Sequence, residues 1–388
     1  MNILRRASTT RIIIGLALIV LAAGAASIAL ASRSAGPTPP QRSLASAIHH
    51  ALAGPRVAGV TARIRFSNHL VASGVLPDSS QPLLSGATGR LWATGGKVRL
   101  ELQAENGDTE IGFDGKTLVV YNVATNTAYQ MAVPKRSGGE HASESHSGVP
   151  SVARIQQALD RLAGHVSLSG AIAGNVAGQP AYTVRVSPKH DGGLLGAVEL
   201  AFAANHAVPL RVAVLSQGDK SPVLQLTATN ISFGAVPAGD LTVNLAPGAK
   251  IVRVHPPQMP AHHAPAQEPA AQGVRAVGRA VPFTLTAPES LVGLPRQDVR
   301  LVDGSGMPAA VVVYGHGLGA IVLVEQSVQG RDAGPLGSLP QVSINGASGH
   351  ELATALGTAV QFDRGGVRYT LVGSLPPAAA EAAARALG

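Results

Sequence analysis

Two neighbouring stretches decide the fold: 83–103, LLSGATGRLWATGGKVRLELQ, and 110–134, EIGFDGKTLVVYNVATNTAYQMAVP. In the first, Val98, Leu100 and Leu102 alternate with Lys97, Arg99, Glu101 and Gln103. A period of two places one set of side chains on each face of a strand, which describes an antiparallel sheet with one buried and one wetter side. In the second, Asp114-Gly115 predicts a hairpin with a type I′ turn, whose two central residues need positive φ. Asn122 to Asn126 then separates Thr117–Tyr121 from Thr127–Met131, giving a further pair of strands.

The same period recurs on both sides of this core. Ala62, Ile64 and Phe66 alternate with Thr61, Arg63 and Arg65. Tyr182, Val184 and Val186 follow the rule, as do Val198, Leu200 and Phe202, and Leu210, Val212 and Val214. Two helices interrupt the strands. Leu44, Ile48 and Leu52 form one apolar stripe that Gly54-Pro55 terminates, and Val152, Ile155, Leu159 and Leu162 form another. The polar insert 135–148 (KRSGGEHASESHSG) reads as a loop.

Residues 251–280, rich in Pro, Ala, Gln and His, have a linker composition. A second β-rich unit, 281–388, follows with strands at 281–286, 299–302, 309–314, 320–326, 360–363 and 367–372. Glu351–Leu356 reads there as a short helix, and an Ala-rich helix from Pro377 to Leu387 closes the chain. The expected organisation is therefore a leader at 1–31, a Pro-rich spacer at 32–40, a β unit at 41–250, the linker, and the second unit.

Composition agrees with a turn-rich β protein. Of 388 residues, 45% are apolar but only 3% aromatic, so the cores must be built from Val, Leu, Ile and Ala. There are 45 Gly and 27 Pro, which supply turns. The net charge of +8 comes from Lys and Arg scattered singly, and with so few aromatic rings this argues against nucleic acid as a partner. Cysteine is absent, which excludes disulfides, thiolate metal sites, a cysteine nucleophile and a cysteine-linked lipid anchor. At the N-terminus, Arg5, Arg6 and Arg11 precede twenty uncharged residues, Ile12 to Ala31. That length suits a membrane anchor through residues 12–31, with the rest of the chain exported. Ala29-Leu30-Ala31 equally reads as a cleavage site, which would release a secreted protein.

No motif in the chain carries chemistry. Gly115-Lys116-Thr117 has the end of a phosphate-binding loop, but Glu110 stands where that motif needs Gly, and the Lys belongs to a hairpin instead of opening a helix. Gly315-His316-Gly317-Leu318-Gly319 lies between two strands and reads as a turn. His49-His50 end the first helix, His141 and His146 sit in the polar insert, and the adjacent His262-His263 would send their rings apart. Glu110, Asp114 and Asp191 have nothing to pair them. No catalytic residue, cofactor or metal site is expected. A hydrolase remains a remote alternative that would need Ser305 and His316 brought together.

Taken as a unit, Leu84–Pro134 resembles the core of the LolA-type lipoprotein-carrier superfamily, which includes the RseB/MucB-type regulators. The resemblance rests on Lys97–Glu101 (KVRLE) and Asp114–Tyr121 (DGKTLVVY), in order with Pro180–Val184 (PAYTV) and Val208–Val212 (VPLRV). It covers roughly 42–250. It implies an α+β, mainly β fold, an unclosed antiparallel half-barrel with helices over its concave side and a cavity that holds acyl chains. More loosely, 281–388 resembles the small C-terminal β domain of RseB-type proteins through Gly365–Gly373 (GGVRYTLVG) and the terminal helix. That domain contacts the extracytoplasmic part of an anti-sigma factor.

The expected function is accordingly a non-enzymatic extracytoplasmic protein that binds a lipid, an acyl chain or a lipoprotein, either as a regulator of a sigma/anti-sigma pair or as a carrier. Candidate cavity residues are Ile64, Phe66, Leu91, Val98, Leu100, Leu102, Leu118, Val120, Val184, Leu210 and Val212 on strands, with Leu44, Ile155 and Leu159 on the covering helices.

Overall fold

The computed structural model describes residues 36–72, 82–104, 107–133, 149–189, 193–254, 271–304, 307–328 and 336–387. The proposed leader at 1–31, the insert 135–148, residues 255–270 of the linker with His262-His263, Asp191 and Ser305 lie outside the described residues. Among those described, no helix is long and apolar enough to cross a membrane.

The first sheet begins as a meander: β1 (Val60–Asn68), β2 (Gly86–Thr94), β3 (Lys97–Ala104), β4 (Gly107–Phe113), β5 (Thr117–Asn122) and β6 (Thr127–Ala132). It continues with β7 (Val166–Leu168), β8 (Ile172–Val176), β9 (Gln179–Pro188), β10 (Leu195–Ala203), β11 (Pro209–Ser216), β12 (Leu224–Phe233) and β13 (Lys250–Val254). Hydrogen bonding orders these thirteen strands β13-β6-β5-β4-β3-β2-β1-β12-β11-β10-β9-β7, with β8 on β9, so the two ends do not meet and the sheet is open. All neighbours are antiparallel except β13, which runs parallel to β6. That pair is a departure from the expected sheet, because 251–254 had been assigned to the linker. Ile251 and Val252 extend the ladder opposite Ala128 and Tyr129 instead.

Turn chemistry sets the register of the meander. Gly95 and Gly96, both at positive φ, join β2 to β3 with Thr94 opposite Lys97, as a two-residue type I′ turn requires. The next hairpin differs from expectation. Gly115 alone has positive φ, so the two central residues are Gly115 and Lys116, the arrangement of a type II′ turn with Gly first. The Asp114 carboxylate lies outside the turn and accepts from the Lys116 and Thr117 N–H groups at 2.8 and 2.7 Å. Those two donors, Thr117 foremost, hold its pKa below the ordinary carboxylate value.

Alternation then gives the sheet one continuous aliphatic face. One cross-strand row runs Ile231, Ala62, Leu91, Leu100, Ile111, Val120, Tyr129. A second runs Val184, Leu200, Val212, Leu226, Phe66, Ala87. A bulge at Thr229, where Arg63 pairs with Asn230 but Ile64 with Ala228, brings Ile231 onto the same side as Ala228. Gly89 marks a close approach of strands: a Cβ there would stand 1.7 Å from the Glu101 carbonyl oxygen of β3. Glycine inside a strand is the residue that permits such a bend.

Three helices contact this sheet. The first, α1 (Leu44–Ala53), starts at Ser43, whose hydroxyl accepts from Ser46 N–H, and stops at Gly54. Of the expected Leu44-Ile48-Leu52 stripe, Leu44 is buried and Ile48 packs against the cluster that Ala47 and Ala51 form with Tyr182, Phe202 and Ala204, while Leu52 is 43% exposed. The small residues let the helix lie close to two aromatic rings. A single turn, α2 (Pro82–Ser85), escaped the sequence reading, yet it crosses β1 to β4 and buries Leu83 and Leu84 in the main core. The third, α3 (Val152–Ala163), is capped by Ser151 and packs on α1 and β7. Only Ile155 of its expected stripe is buried, and Leu162 is 46% exposed.

The second sheet has eight strands, β14 (Ser290–Leu291), β15 (Leu294–Gly304), β16 (Met307–Tyr314), β17 (Ile321–Ser327), β18 (Gln341–Ile344), β19 (Ala347–Thr354), β20 (Gly357–Arg364) and β21 (Val367–Gly373). Their order is β14-β15-β16-β17-β21-β20-β19-β18. The short helix expected at Glu351–Leu356 is the end of β19 and its turn, since Glu351 pairs with Val360 and Thr354 with Gly357. Ladder pairing with β20 overrides the local helix preference of Glu, Leu and Ala. Residues 271–280, expected in the linker, belong to this unit: Gln272 bridges to Arg300, and α4 (Val274–Ala280) buries Val277. The closing helix α5 (Pro377–Arg385) buries Ala380, Ala383 and Ala384. The two sheets also touch. Leu339 is buried in the core of the first, Ala355 N–H donates to Leu70 O at 2.8 Å, and Leu194 N–H donates to Ser374 Oγ at 2.8 Å.

The contact at Gly89 predicts that Gly89→Ala costs about 1–3 kcal/mol, because β2 or β3 must move to admit the methyl group. Thermal unfolding checks this, and a variant as stable as the parent contradicts the close approach.

Candidate ligand-binding cleft

The aliphatic face is not filled everywhere. A cleft of about 130 Å³ lies among Val60, Ala62 and Ile64 of β1, Leu91 and Ala93 of β2, Val98 of β3, Val208 and Pro209–Val212 at β11, and Leu226, Ala228 and Ile231 of β12. It spans five adjacent strands, β3-β2-β1-β12-β11. On a flat sheet the outer two would be ~19 Å apart. Residues from both lining one small space therefore require the sheet to curl.

The register explains why the space exists. Ile64 stands between Ala228 and Gly89, Ala62 between Ile231 and Leu91, and Ala93 opposite Val98. Ala62, Ala93, Ala228 and Gly89 withhold volume where other rows carry Leu or Phe. Towards the opposite ends of β1–β3, Phe66, Leu100 and Leu102 are covered by Leu83 and Leu84 in one packed cluster with Leu118 and Val120. Asn68 holds that cover in place: its Nδ2 donates to Leu83 O at 2.8 Å, and its Oδ1 accepts from Leu70 N–H.

Of the residues expected to line a cavity, Ile64, Leu91, Val98, Leu210 and Val212 do so. Phe66, Leu100, Leu102, Leu118, Val120 and Val184 share the face by register but are not among the lining residues. Leu44 and Ile155 are buried and Leu159 is half-buried on their helices, away from the cleft. The reading missed Val60, Ala62, Ala93, Val208, Pro209, Arg211, Leu226, Ala228 and Ile231. Ala62 had been seen as an alternating position, but small residues give no volume signal in a linear sequence. In β12 (LQLTATNISF) the bulge at Thr229 breaks the period that would have exposed it.

Every lining residue is apolar except Arg211. Strand alternation turns its side chain away from Leu210 and Val212, and its Nε and Nη2 donate to Gln225 Oε1 at 3.3 and 3.1 Å. Burial lowers its pKa to about 10, against the opposing influence of Glu199.

Among the described residues, no three His, Asp or Glu side chains gather as a metal site. His49 and His50 serve packing: their Nδ1 atoms bond the carbonyls of Pro150 (2.8 Å) and Ala204 (3.2 Å), tying α1 to its neighbours. Glu110 is held by Arg99 at 3.1 Å on the outer face, and His316 is exposed in the connection between β16 and β17.

The most perturbed carboxylate lies in the second sheet. Glu325 is fully buried, and burial raises its pKa to about 7 against a lowering by Thr286 N–H, which donates to Oε2 at 2.9 Å. Among the described residues, its Oε1 and the buried Tyr314 hydroxyl have no hydrogen-bond partner. Burial also raises Tyr314 to about 12, with Arg296 lowering it and Glu325 adding to the rise.

Curled sheet and apolar cleft together describe an open-sheet binding fold. No family profile and no curated protein matches the chain. Among solved structures, MucB in complex with MucA(peri) is 17% identical over 88% of this chain and 94% of that chain, with a TM-score of 0.39. The Pseudomonas aeruginosa MucA/MucB complex is 19% identical over the same shares, also at 0.39. A LolA-superfamily protein from Nitrosomonas europaea is 12% identical over 52% of this chain and 99% of that chain, at 0.23.

Glu325 supplies a prediction for pH. Its folded pKa lies above the ordinary 4.5, so folding favours the protonated form. Stability is full below pH 4.5, falls as pH rises towards 7, and stays reduced above it. Glu325→Gln is expected to raise the melting temperature by several degrees at pH 8 and to leave it unchanged at pH 4. Equal shifts at both pH values contradict the assignment.

Proposed function

We propose that this chain is a non-enzymatic, extracytoplasmic binding protein whose first sheet takes the end of a hydrocarbon tail from a lipid or lipoprotein. The carrying observation is the apolar cleft floored by Ala62, Ala93 and Ala228 and walled by Ile64, Leu91, Val98, Leu210, Val212, Leu226 and Ile231. A tail has no polar groups to satisfy and gains ~0.8 kcal/mol for each CH₂ taken out of water. Sites for whole small molecules usually measure ~300–1,000 Å³. At about 130 Å³ this one suits a terminal segment, with the rest of the ligand outside.

The second sheet is proposed to make a protein contact, with an extracytoplasmic anti-sigma segment as the first partner to test. The resemblance of 281–388 to RseB-type C-terminal domains supports that choice. The contacts of Leu339, Ala355 and Ser374 with the first sheet give a physical route by which filling the cleft would be felt in the second. Carriage without signalling is the competing role. A protein whose mature N-terminus is Ser32 would favour the carrier, and one that retains residues 12–31 would favour the regulator.

Titration with a series of fluorescent fatty acids tests the cleft. Affinity is expected to rise about fourfold per added CH₂ and then level off once the cleft is full. Ala228→Phe fills the floor and is expected to weaken binding at least tenfold while the fold persists by circular dichroism. Absence of binding in the parent, or equal binding by the variant, overturns the proposal.

A further inference from the structure

The outer face of β12, β1 and β2, directly behind the cleft, has the opposite chemistry. Arg63 stands opposite Arg90 in the β1–β2 register, and Arg65 lies two residues along the same face of β1. All three are exposed. Among the described residues, none of the three guanidinium groups has an ion pair. The carboxylates that continue the Arg63–Arg90 row, Glu101 and Glu110, are both taken by Arg99, which also lies 5.3 Å over the Trp92 ring. Like charges directly opposite on a sheet are destabilising, so this face carries a repulsion that an anion would relieve.

Around the arginines, Thr88, Gln103, Asn230 and Ser232 are polar and exposed. None of the exposed large hydrophobic residues lies on these three strands. A peptide partner draws its affinity from buried aromatic or aliphatic anchors, and single-stranded nucleic acid from stacking rings. Here the one large ring on these three strands' outer face, Trp92, is buried beneath Arg99. What this face offers is a group of planar guanidinium forks, which match phosphate oxygens, on a broad pleated surface.

We propose that the outer face of β12-β1-β2, through Arg63, Arg65 and Arg90, docks the protein on the phosphates of an anionic phospholipid bilayer. The proposal stands apart from the cleft, and a variant with a filled cleft keeps this face. Contact in this orientation turns the cleft away from the bilayer it rests on.

The chain has no cysteine, so Thr88→Cys places a single fluorophore among the three arginines. The full chain is mixed with vesicles carrying a headgroup quencher, made either of phosphatidylcholine alone or with phosphatidylglycerol. Quenching at position 88 is expected only with phosphatidylglycerol and is reversed by high salt. A fluorophore on Ser348→Cys in the second sheet, also exposed, is expected to stay unquenched. Each Arg→Ala change is expected to lower the apparent affinity about fivefold, and all three together about a hundredfold. The triple Arg→Lys variant keeps most of the binding, and circular dichroism of the triple Ala variant matches the parent. Equal quenching on phosphatidylcholine alone, or quenching indifferent to the triple Ala change, overturns the proposal. So does binding of soluble polyglutamate as tight as that of the anionic vesicles, which would make this an acidic-protein face.

Discussion

A sheet with one aliphatic face must remove that face from water, and in this protein it does so chiefly by curling upon itself. The bend depends on backbones approaching more closely than a Cβ allows, as at Gly89 against the Glu101 carbonyl. Curling brings β3 and β11 to the sides of one space, and Leu83 and Leu84 fill part of it. What remains is bounded by alanines, so the cleft reflects missing side-chain volume on an otherwise close-packed face. It is not a separate structure added to the fold.

Much of the first sheet was legible because its signals are local. Val98-Leu100-Leu102 and Ala62-Ile64-Phe66 show the period of two directly, and Asp114-Gly115 marks a turn within a few residues. What stayed hidden depends on partners distant in sequence. The parallel place of β13 beside β6 joins segments more than a hundred residues apart, and nothing in KIVRV announces it. Glu351–Leu356 carries helix-forming residues, yet pairing with β20 captures Glu351–Thr354. On α1 the stripe marks Leu44 and Ile48, but not the alanines, Ala47 and Ala51, through which the helix approaches Tyr182 and Phe202. The candidate site divides in the same way. The aliphatic face could be foreseen residue by residue, whereas the position of the gap depends on Ala228 and Ile231 beyond a bulge.

The two sides of β1 contrast in how they meet their surroundings. Inward, Ala62, Ile64 and Phe66 are buried without a polar atom among their side chains. Outward, Thr61, Arg63 and Arg65 face water, and the charge that can be neutralised locally is gathered on Arg99 with its two glutamates and the Trp92 ring. A one-residue slip of this strand would bury arginines and expose aliphatics together, so its register is strongly specified. The second sheet tolerates a different burden in Glu325, a carboxylate enclosed by apolar neighbours and met by one backbone donor at 2.9 Å.

The ends of the open sheet bear on how the protein behaves in a crowd. An unpaired outer strand is a template on which a second chain can add, and long, flat ones lead to fibrils. Here the described ladder stops on one side at β7 and β8, three and five residues long, and on the other at β13, five residues long and paired parallel to β6. Neither rim offers a run on which another copy could register more than a few bonds. An incompletely closed barrel therefore stays compatible with high local concentration, without sealing the groove that closure would have removed.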